Sequence, residues 1–192
     1  MLVGVLAIQG DFALHQKLLQ QLNVSSTLVK KKEDLKNCDG LIIPGGESTT
    51  FVKQLKEIGL FNEIREFSRK QPIFGTCAGL IALATHIEND NLDSLALIDL
   101  QVTRNAYGRQ INSFIDTVEL LFEGKKIAFE GVFIRAPKIK KIGEGVKPIG
   151  YYNNEIVLVE NEKIMAATFH PELTDNPLIH EYFLKKIRNL KT

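Results

Sequence analysis

Tryptophan is absent from the 192-residue chain, and cysteine and methionine occur only twice each. Two cysteines, Cys38 and Cys77, are too few for the disulfide framework of small secreted domains, and neither lies in a metal-like C-x-x-C pair. A reducing cytoplasm and a chain without bound metal are therefore expected. An excess of one charge is lacking as well. The 24 Lys and Arg against 23 Asp and Glu leave a net charge of +1, which supplies no long-range field for nucleic acid or an anionic membrane. The opening apolar run, Leu2 to Ile8, has no basic region before it and is far too short for a membrane span or a signal core. Internal repeats, low-complexity stretches and linkers are missing. So is a G-x-x-x-x-G-K-[ST] loop, and Gly143, Gly145 and Gly150 do not follow G-x-G-x-x-G spacing, which sets nucleotide binding aside.

What is present suits one globular domain over residues 1–192. Its 44% hydrophobic and 24% charged residues are enough to bury a sizeable core. Leu2 to Ile8 reads as a buried strand, Gln9-Gly10-Asp11 as a turn, and Phe12, Leu14, Leu18, Leu19 and Leu22 as the apolar stripe of a helix. Further strands are expected at Ser26 to Val29, at Gly40 to Ile43 before Pro44-Gly45-Gly46, and at Pro72 to Phe74. One helix is expected from Thr49 to Phe67, another starting at Leu80 to Ala84, and a last one from about Pro177 to Leu190. This alternation predicts an α/β fold: a mostly parallel, doubly wound sheet with helices on both faces and functional groups at the carboxyl ends of strands. From about Ile98 to Ala167 short β-like segments, separated by Gly, Asn and Pro, predict a smaller antiparallel β portion with long loops. The clusters Lys30 to Lys32 and Lys138 to Lys141 lack interleaved aromatics and read as solvated surface.

Chemistry concentrates at Gly75-Thr76-Cys77-Ala78-Gly79. It has the G-x-C-x-G form of a nucleophile elbow, in which glycines relieve crowding at a tight strand-to-helix turn. At the start of a helix Cys77 would be favoured as a thiolate, and the Ala78 N–H is placed to donate to an oxyanion. The motif alone leaves a buried, inert cysteine as an equal alternative. Cys38 has no glycine bracket and reads as inert.

Of four histidines, His170 has a setting suited to a general base. In Phe169-His170-Pro171-Glu172 an extended geometry imposed by Pro171 would turn His170 and Glu172 to the same side, so that the carboxylate holds one ring nitrogen while the other faces Cys77. His15 and His180 fall in expected helices and His86 near a helix end, positions suited to exposed or capping roles.

Gly-Thr-Cys-Ala-Gly followed by His-Pro-Glu resembles the class I glutamine amidotransferase family, with its Cys-His-Glu triad. Pro44-Gly-Gly-Glu-Ser-Thr-Thr50, Arg104-Asn-Ala-Tyr-Gly-Arg-Gln110, Gly131-Val-Phe-Ile-Arg-Ala-Pro137 and Phe169-His-Pro-Glu-Leu-Thr174 narrow the resemblance to the branch serving pyridoxal 5′-phosphate synthase. The resemblance implies that Cys77 attacks the side-chain amide of L-glutamine, with His170 moving protons and Glu172 orienting it. It further implies oxyanion donors at Gly46 and Ala78, and a substrate pocket that uses Gly46, Glu47 for the α-ammonium, Ser48, Arg104 for the α-carboxylate, and the backbone of Ile134 and Arg135. Arg109 could instead brace a loop.

Ammonia released into neutral water is mostly protonated, and no acceptor domain is evident. A separate synthase subunit is therefore expected to dock over the site. The resemblance implies that this partner combines ammonia with ribose 5-phosphate and glyceraldehyde 3-phosphate in a large heteromeric assembly, where pyridoxal 5′-phosphate is the product and no cofactor is needed by this chain. The same reading predicts a poor glutaminase in isolation, with Gln9-Gly10 responding to docking. Rival readings are the glutaminase of another amidotransferase, such as imidazole glycerol phosphate synthase, and a non-catalytic regulatory binding subunit. An intact Cys77, His170 and Glu172 argues against the second.

Overall fold

The apolar runs become strands buried on both faces. In the computed structural model, which describes residues 1–88, 92–104 and 113–190, a nine-stranded sheet forms the centre. Its first part comprises β1 (Leu2–Leu6), β2 (Ser25–Val29), β3 (Gly40–Ile43), β4 (Ile73–Thr76) and β12 (Ile164–Ala167), all parallel, in the order β2-β1-β3-β4-β12. The sheet continues antiparallel through β11 (Glu155–Glu160), β10 (Lys147–Tyr152), β7 (Ser113–Phe122) and β8 (Lys125–Ile134). A three-stranded sheet of β5 (Ala84–Ile87), β6 (Ile98–Thr103) and β9 (Lys138–Ile142) stands beside it.

Strand alternation divides the core between the two faces. Val3, Val5, Ile42 and Phe74 join one cluster, while Leu6, Leu41, Ile43 and Ile73 join the other. The first face is covered by α1 (Phe12–Gln21) and α5 (Leu178–Asn189), the second by α2 (Ser48–Glu57), α3 (Leu60–Ser68) and α4 (Ala78–Leu83). Helix α5 illustrates the cause. Ile179, Phe183, Leu184 and Ile187 are buried at helical spacing, each stabilising the fold by about 1.5–3 kcal/mol relative to exposure, while Lys185 lies exposed beside Glu123.

Three local features differ from the sequence expectations. The single helix expected from Thr49 to Phe67 is two helices, because Gly59 adopts φ +73°, a left-handed conformation that ends α2 and starts α3. Within the stretch expected as short β-like segments, β7 and β8 form one long hairpin that turns through Glu123 and Gly124, both with positive φ as two-residue hairpin turns need. Lys138 is not free surface: its ammonium is part-buried and lies 2.7 Å from Glu155.

Strand ends position the site. β3, β4 and β12 are neighbours and parallel, so the segments that follow them, Pro44-Gly45-Gly46, Cys77-Ala78 and His170-Pro171-Glu172, emerge at the same edge. Strand β8 is last in the sheet order, yet its far end also reaches this edge, where the Val132 carbonyl accepts the His170 N–H at 2.8 Å.

Candidate active site

Cys77 has φ 49° and ψ −106°, a backbone region that costs a non-glycine residue of the order of 1–3 kcal/mol and persists only where its surroundings impose it. Its own N–H donates to the Ala167 carbonyl at 2.9 Å, and its carbonyl accepts from Ile81 at 3.2 Å. Gly79 permits a close backbone approach. A Cβ there would stand 2.1 Å from the Ile43 carbonyl oxygen, so α4 can begin against the end of β3 only without a side chain at this position. The thiol is buried, at 6% exposure, and its Sγ lies 3.7 Å from the Ile134 carbonyl oxygen.

His170 Nδ1 and Glu172 Oε1 are 2.7 Å apart. The pairing expected from sequence is present, but its geometry differs: Pro171–Leu173 is a turn of 3-10 helix with His170 at its N-terminal boundary, not an extended segment. Proline suits the first position of a helix, where its missing N–H costs nothing, and the tight turn brings residue 172 back under residue 170. Gly45 lies against the other side of the imidazole, since a Cβ on it would stand 2.6 Å from His170 Cε1 and 3.3 Å from Cys77 Cβ.

The electrostatics fit an imidazole held ready for protonation. Burial opposes charge on His170, but hydrogen bonds to Cys77 and Glu172, together with their negative charges, outweigh it and raise the ring to about 10. Glu172 is buried, which favours its neutral form, yet the neighbouring His15 and the bond to His170 hold it below the ordinary carboxylate range. Cys38 behaves oppositely. Its thiol donates to the Asp34 carbonyl at 3.1 Å, and burial, with Asp39 and Asp34 nearby, pushes it up to about 11.

Cys77 and His170 line a cavity of about 250 Å³ together with Gly46, Glu47, Ser48, Ala78, Arg104, Ile134 and Arg135. Every sequence-derived site residue except Glu172, which sits beneath His170, reaches this one cavity. Its volume lies just under the ~300–1,000 Å³ of pockets for drug-sized ligands and suits something of amino-acid size. Glu47 has a second occupation: it is the N-cap of α2, accepting from the Thr49 N–H at 3.0 Å, the Thr49 hydroxyl, and the Thr50 hydroxyl at 3.1 Å. These bonds, with the charge of Arg104, hold its carboxyl below the usual range. Gly10, which is exposed, and Asp11 also line the cavity, and Gln9 Nε2 donates to the Glu47 carbonyl at 3.0 Å, so Gln9-Gly10 stands at the cavity's edge. Arg109 lies outside the described residues. Donor atoms of Asp11, His170 and Glu172 fall within 4.8 Å of one another, although the His170 and Glu172 atoms already bond to each other.

Two residues were misread from sequence. His15 and His180 are fully buried, neither exposed nor capping, and their rings meet at Nδ1 and Nε2, 2.8 Å apart. His15 Nε2 lies 3.5 Å from Glu172 Oε2. His86 is exposed as expected, though on β5. Helical periodicity was the available signal: His15 falls on the stripe of Leu18, Leu19 and Leu22, and His180 on that of Phe183, Leu184 and Ile187.

Burial pushes His180 down to about 3, which gives a stability prediction. Below its ordinary 6.5 the unfolded chain binds a proton there that the folded chain refuses, so stability falls as pH drops from about 6.5 towards 3. At pH 5 this single ring removes about 2 kcal/mol. Denaturant midpoints of His180→Gln should therefore decline less between pH 7 and 5 than those of the native chain. Equal slopes would show that His180 can be protonated in place.

Known proteins are similar to this chain in sequence and fold. The family described as the SNO glutamine amidotransferase family matches residues 5–189. The pyridoxal 5′-phosphate synthase subunit PdxT of Dictyoglomus turgidum is 49% identical over 188 residues, covering 97% of this chain and 98% of that protein. The same subunit of Koribacter versatilis is 48% identical over 189 residues, with 98% and 97% covered. A crystal structure described as a glutamine amidotransferase superposes with a TM-score of 0.91 at 43% identity, over 97% of this chain and 98% of that one. A structure of PurLQS from Thermotoga maritima, at TM-score 0.73 and 17% identity over 100% and 99% of the two chains, shares the fold alone.

Proposed function

Because the chain belongs to the SNO glutamine amidotransferase family, we propose that its cavity hydrolyses L-glutamine for a pyridoxal 5′-phosphate synthase, through Cys77, His170 and Glu172. The observation that carries this reading is the imidazole held between the Glu172 carboxylate and the Cys77 sulfur at the wall of an amino-acid-sized cavity. The chain is a glutaminase amidotransferase subunit, and it works with a synthase subunit.

In the proposed reaction the Cys77 thiolate adds to the side-chain amide carbon, and the carbonyl π electrons move to oxygen. The backbone N–H groups of Gly46 and Ala78 receive that oxyanion, an interaction whose loss at one donor typically costs ~10²- to 10³-fold in rate. Collapse of the adduct breaks the C–N bond as protonated His170 gives its proton to the nitrogen, leaving ammonia and a γ-glutamyl thioester. Water then attacks the thioester, His170 takes its proton, and glutamate leaves as the thiolate is restored. Glu172 holds the ring in one tautomer throughout.

Glu47 and Arg104 would hold the two ends of the substrate zwitterion. Each carboxylate oxygen can accept more than one hydrogen bond, so Glu47 can take an α-ammonium while still capping α2. Arg104 offers a two-pronged grip for the α-carboxylate, and Ser48 and the backbone of Ile134 and Arg135 complete the pocket. The whole of residues 1–192 would act as one glutaminase domain in a cytoplasmic setting, consistent with both cysteines being free. Among the described residues no helix is long and apolar enough to cross a membrane.

The partner would be the synthase subunit that joins ammonia to ribose 5-phosphate and glyceraldehyde 3-phosphate, in a large heteromeric complex that needs no nucleic acid or membrane. Docking near Gln9-Gly10 would raise turnover, because ammonia shed by the free subunit is wasted. Glutamate release measured with and without the synthase tests both points. Several-fold stimulation is expected; equal rates would refute activation by docking, and no glutamate under either condition would refute the glutaminase reading.

A further inference from the structure

The triad chemistry leaves one side of Glu172 unexplained. Its Oε1 is satisfied by His170, whereas Oε2 is buried and has no partner at ordinary hydrogen-bond distance. A buried carboxylate oxygen without a donor is costly. Besides His170, the His15 ring approaches this oxygen, its Nε2 standing 3.5 Å away, close enough to close up when charge develops in the site. Thr76 Oγ1 lies equally far from that nitrogen.

Protons on the two buried histidines can be placed by elimination. An ionised carboxylate only accepts hydrogen bonds, so the His15 nitrogen that faces it must carry N–H. The ring is neutral, since burial lowers its pKa, and its Nδ1 is therefore bare. The 2.8 Å contact at that Nδ1 then requires His180 Nε2 to be the donor. His180 is neutral too, so its Nδ1 must be bare, and this atom is indeed buried without a partner. One assignment satisfies every contact.

We propose that His15 is a positioning residue for glutamine hydrolysis, its Nε2–H holding the second oxygen of Glu172 while His180 fixes its tautomer. The proposal rests on the Cys77, His170 and Glu172 reading and deepens it. With both oxygens tethered, the carboxylate plane cannot turn away from His170 Nδ1; with one free, it rotates and the imidazolium loses its orientation. The charged and titratable groups facing His15 are Glu172 and His170 from the turn after β12, Asp11 at the start of α1 and His180 from α5. His180 is otherwise packed against Phe74, edge to face.

The test uses the full chain bound to its synthase, with His15→Gln, His15→Asn and His15→Leu. Glutamine places an N–H near the original Nε2, asparagine reaches only the Nδ1 position, and leucine has no donor. His15→Leu and His15→Asn should lose about 10- to 100-fold in kcat with KM for glutamine unchanged, as loss of an outer orienting partner does elsewhere, and His15→Gln should recover most of it. The pH profile of Cys77 alkylation by iodoacetamide should move to higher pH in the Leu and Asn variants only, a change that looser packing alone would not reproduce. Equal defects in all three, or kcat within 3-fold of native in His15→Asn, would overturn the proposal. Should His15→Leu not fold, the Asn and Gln pair still decides. Glutamine hydrolysis surviving in Cys77→Ala would instead remove the triad reading beneath it.

Discussion

Cys77→Ala should lower glutamine hydrolysis ~10⁴- to 10⁶-fold, the loss expected when a triad nucleophile is removed, while the complex supplied with ammonium salts keeps making its product. The reason lies in the separation of the two chemistries. Removing Sγ abolishes the thioester but leaves the cavity wall, the His170 and Glu172 pair and the docking surface in place. Alanine is smaller and fits a buried site already lined by Gly45 and Ala78, so folding should survive. Glutamate release and ammonia-fed synthesis, measured on the same preparation, separate the outcomes. Retained glutamine use would end the mechanism, and loss of both activities would mean that the substitution had disturbed docking.

Glu172→Gln should cost ~10³- to 10⁴-fold in kcat, by analogy with amide replacement of the orienting carboxylate in other triads. The new side chain has nearly the same shape, so packing under His170 persists. Its chemistry is reversed: an amide can present N–H to His170 Nδ1, which forces the ring proton onto the nitrogen that should receive one from Cys77. The negative charge that raises the imidazole is lost as well. Steady-state glutamate release by the full complex measures the effect, and a loss below tenfold would show that Glu172 does not orient the ring.

Much of this site was readable in sequence because its parts are local. Gly75 to Gly79 spells a strand, a strained turn and a helix within a few residues, and His170 to Glu172 joins base and orienter across one proline. Glu47, Arg104, Ile134 and Arg135 came through resemblance, and the cavity gathers them. Features made by tertiary contact were not readable. His15 and His180 are 165 positions apart, and each looks like an ordinary helical residue until the opposite helix supplies its neighbour. The 3-10 turn at Pro171 depends on the choice between two conformations that proline allows equally. The helix break at Gly59 lies between two segments of like periodicity, where a single glycine can be accommodated or can terminate.

Three consecutive strands, β3, β4 and β12, each deliver one part of the reacting group. The gap between those parts is thereby tied to the pitch of backbone hydrogen bonding, about 4.8 Å from strand to strand, and not to the lengths of flexible connections. Like marks on a ruler, the oxyanion loop, the sulfur and the base keep their separations however the turn at Glu123 and Gly124, at the opposite end of the β7 and β8 hairpin from the site, is lengthened or trimmed. Sequence drift can therefore reshape the outer rim without recalibrating the chemistry.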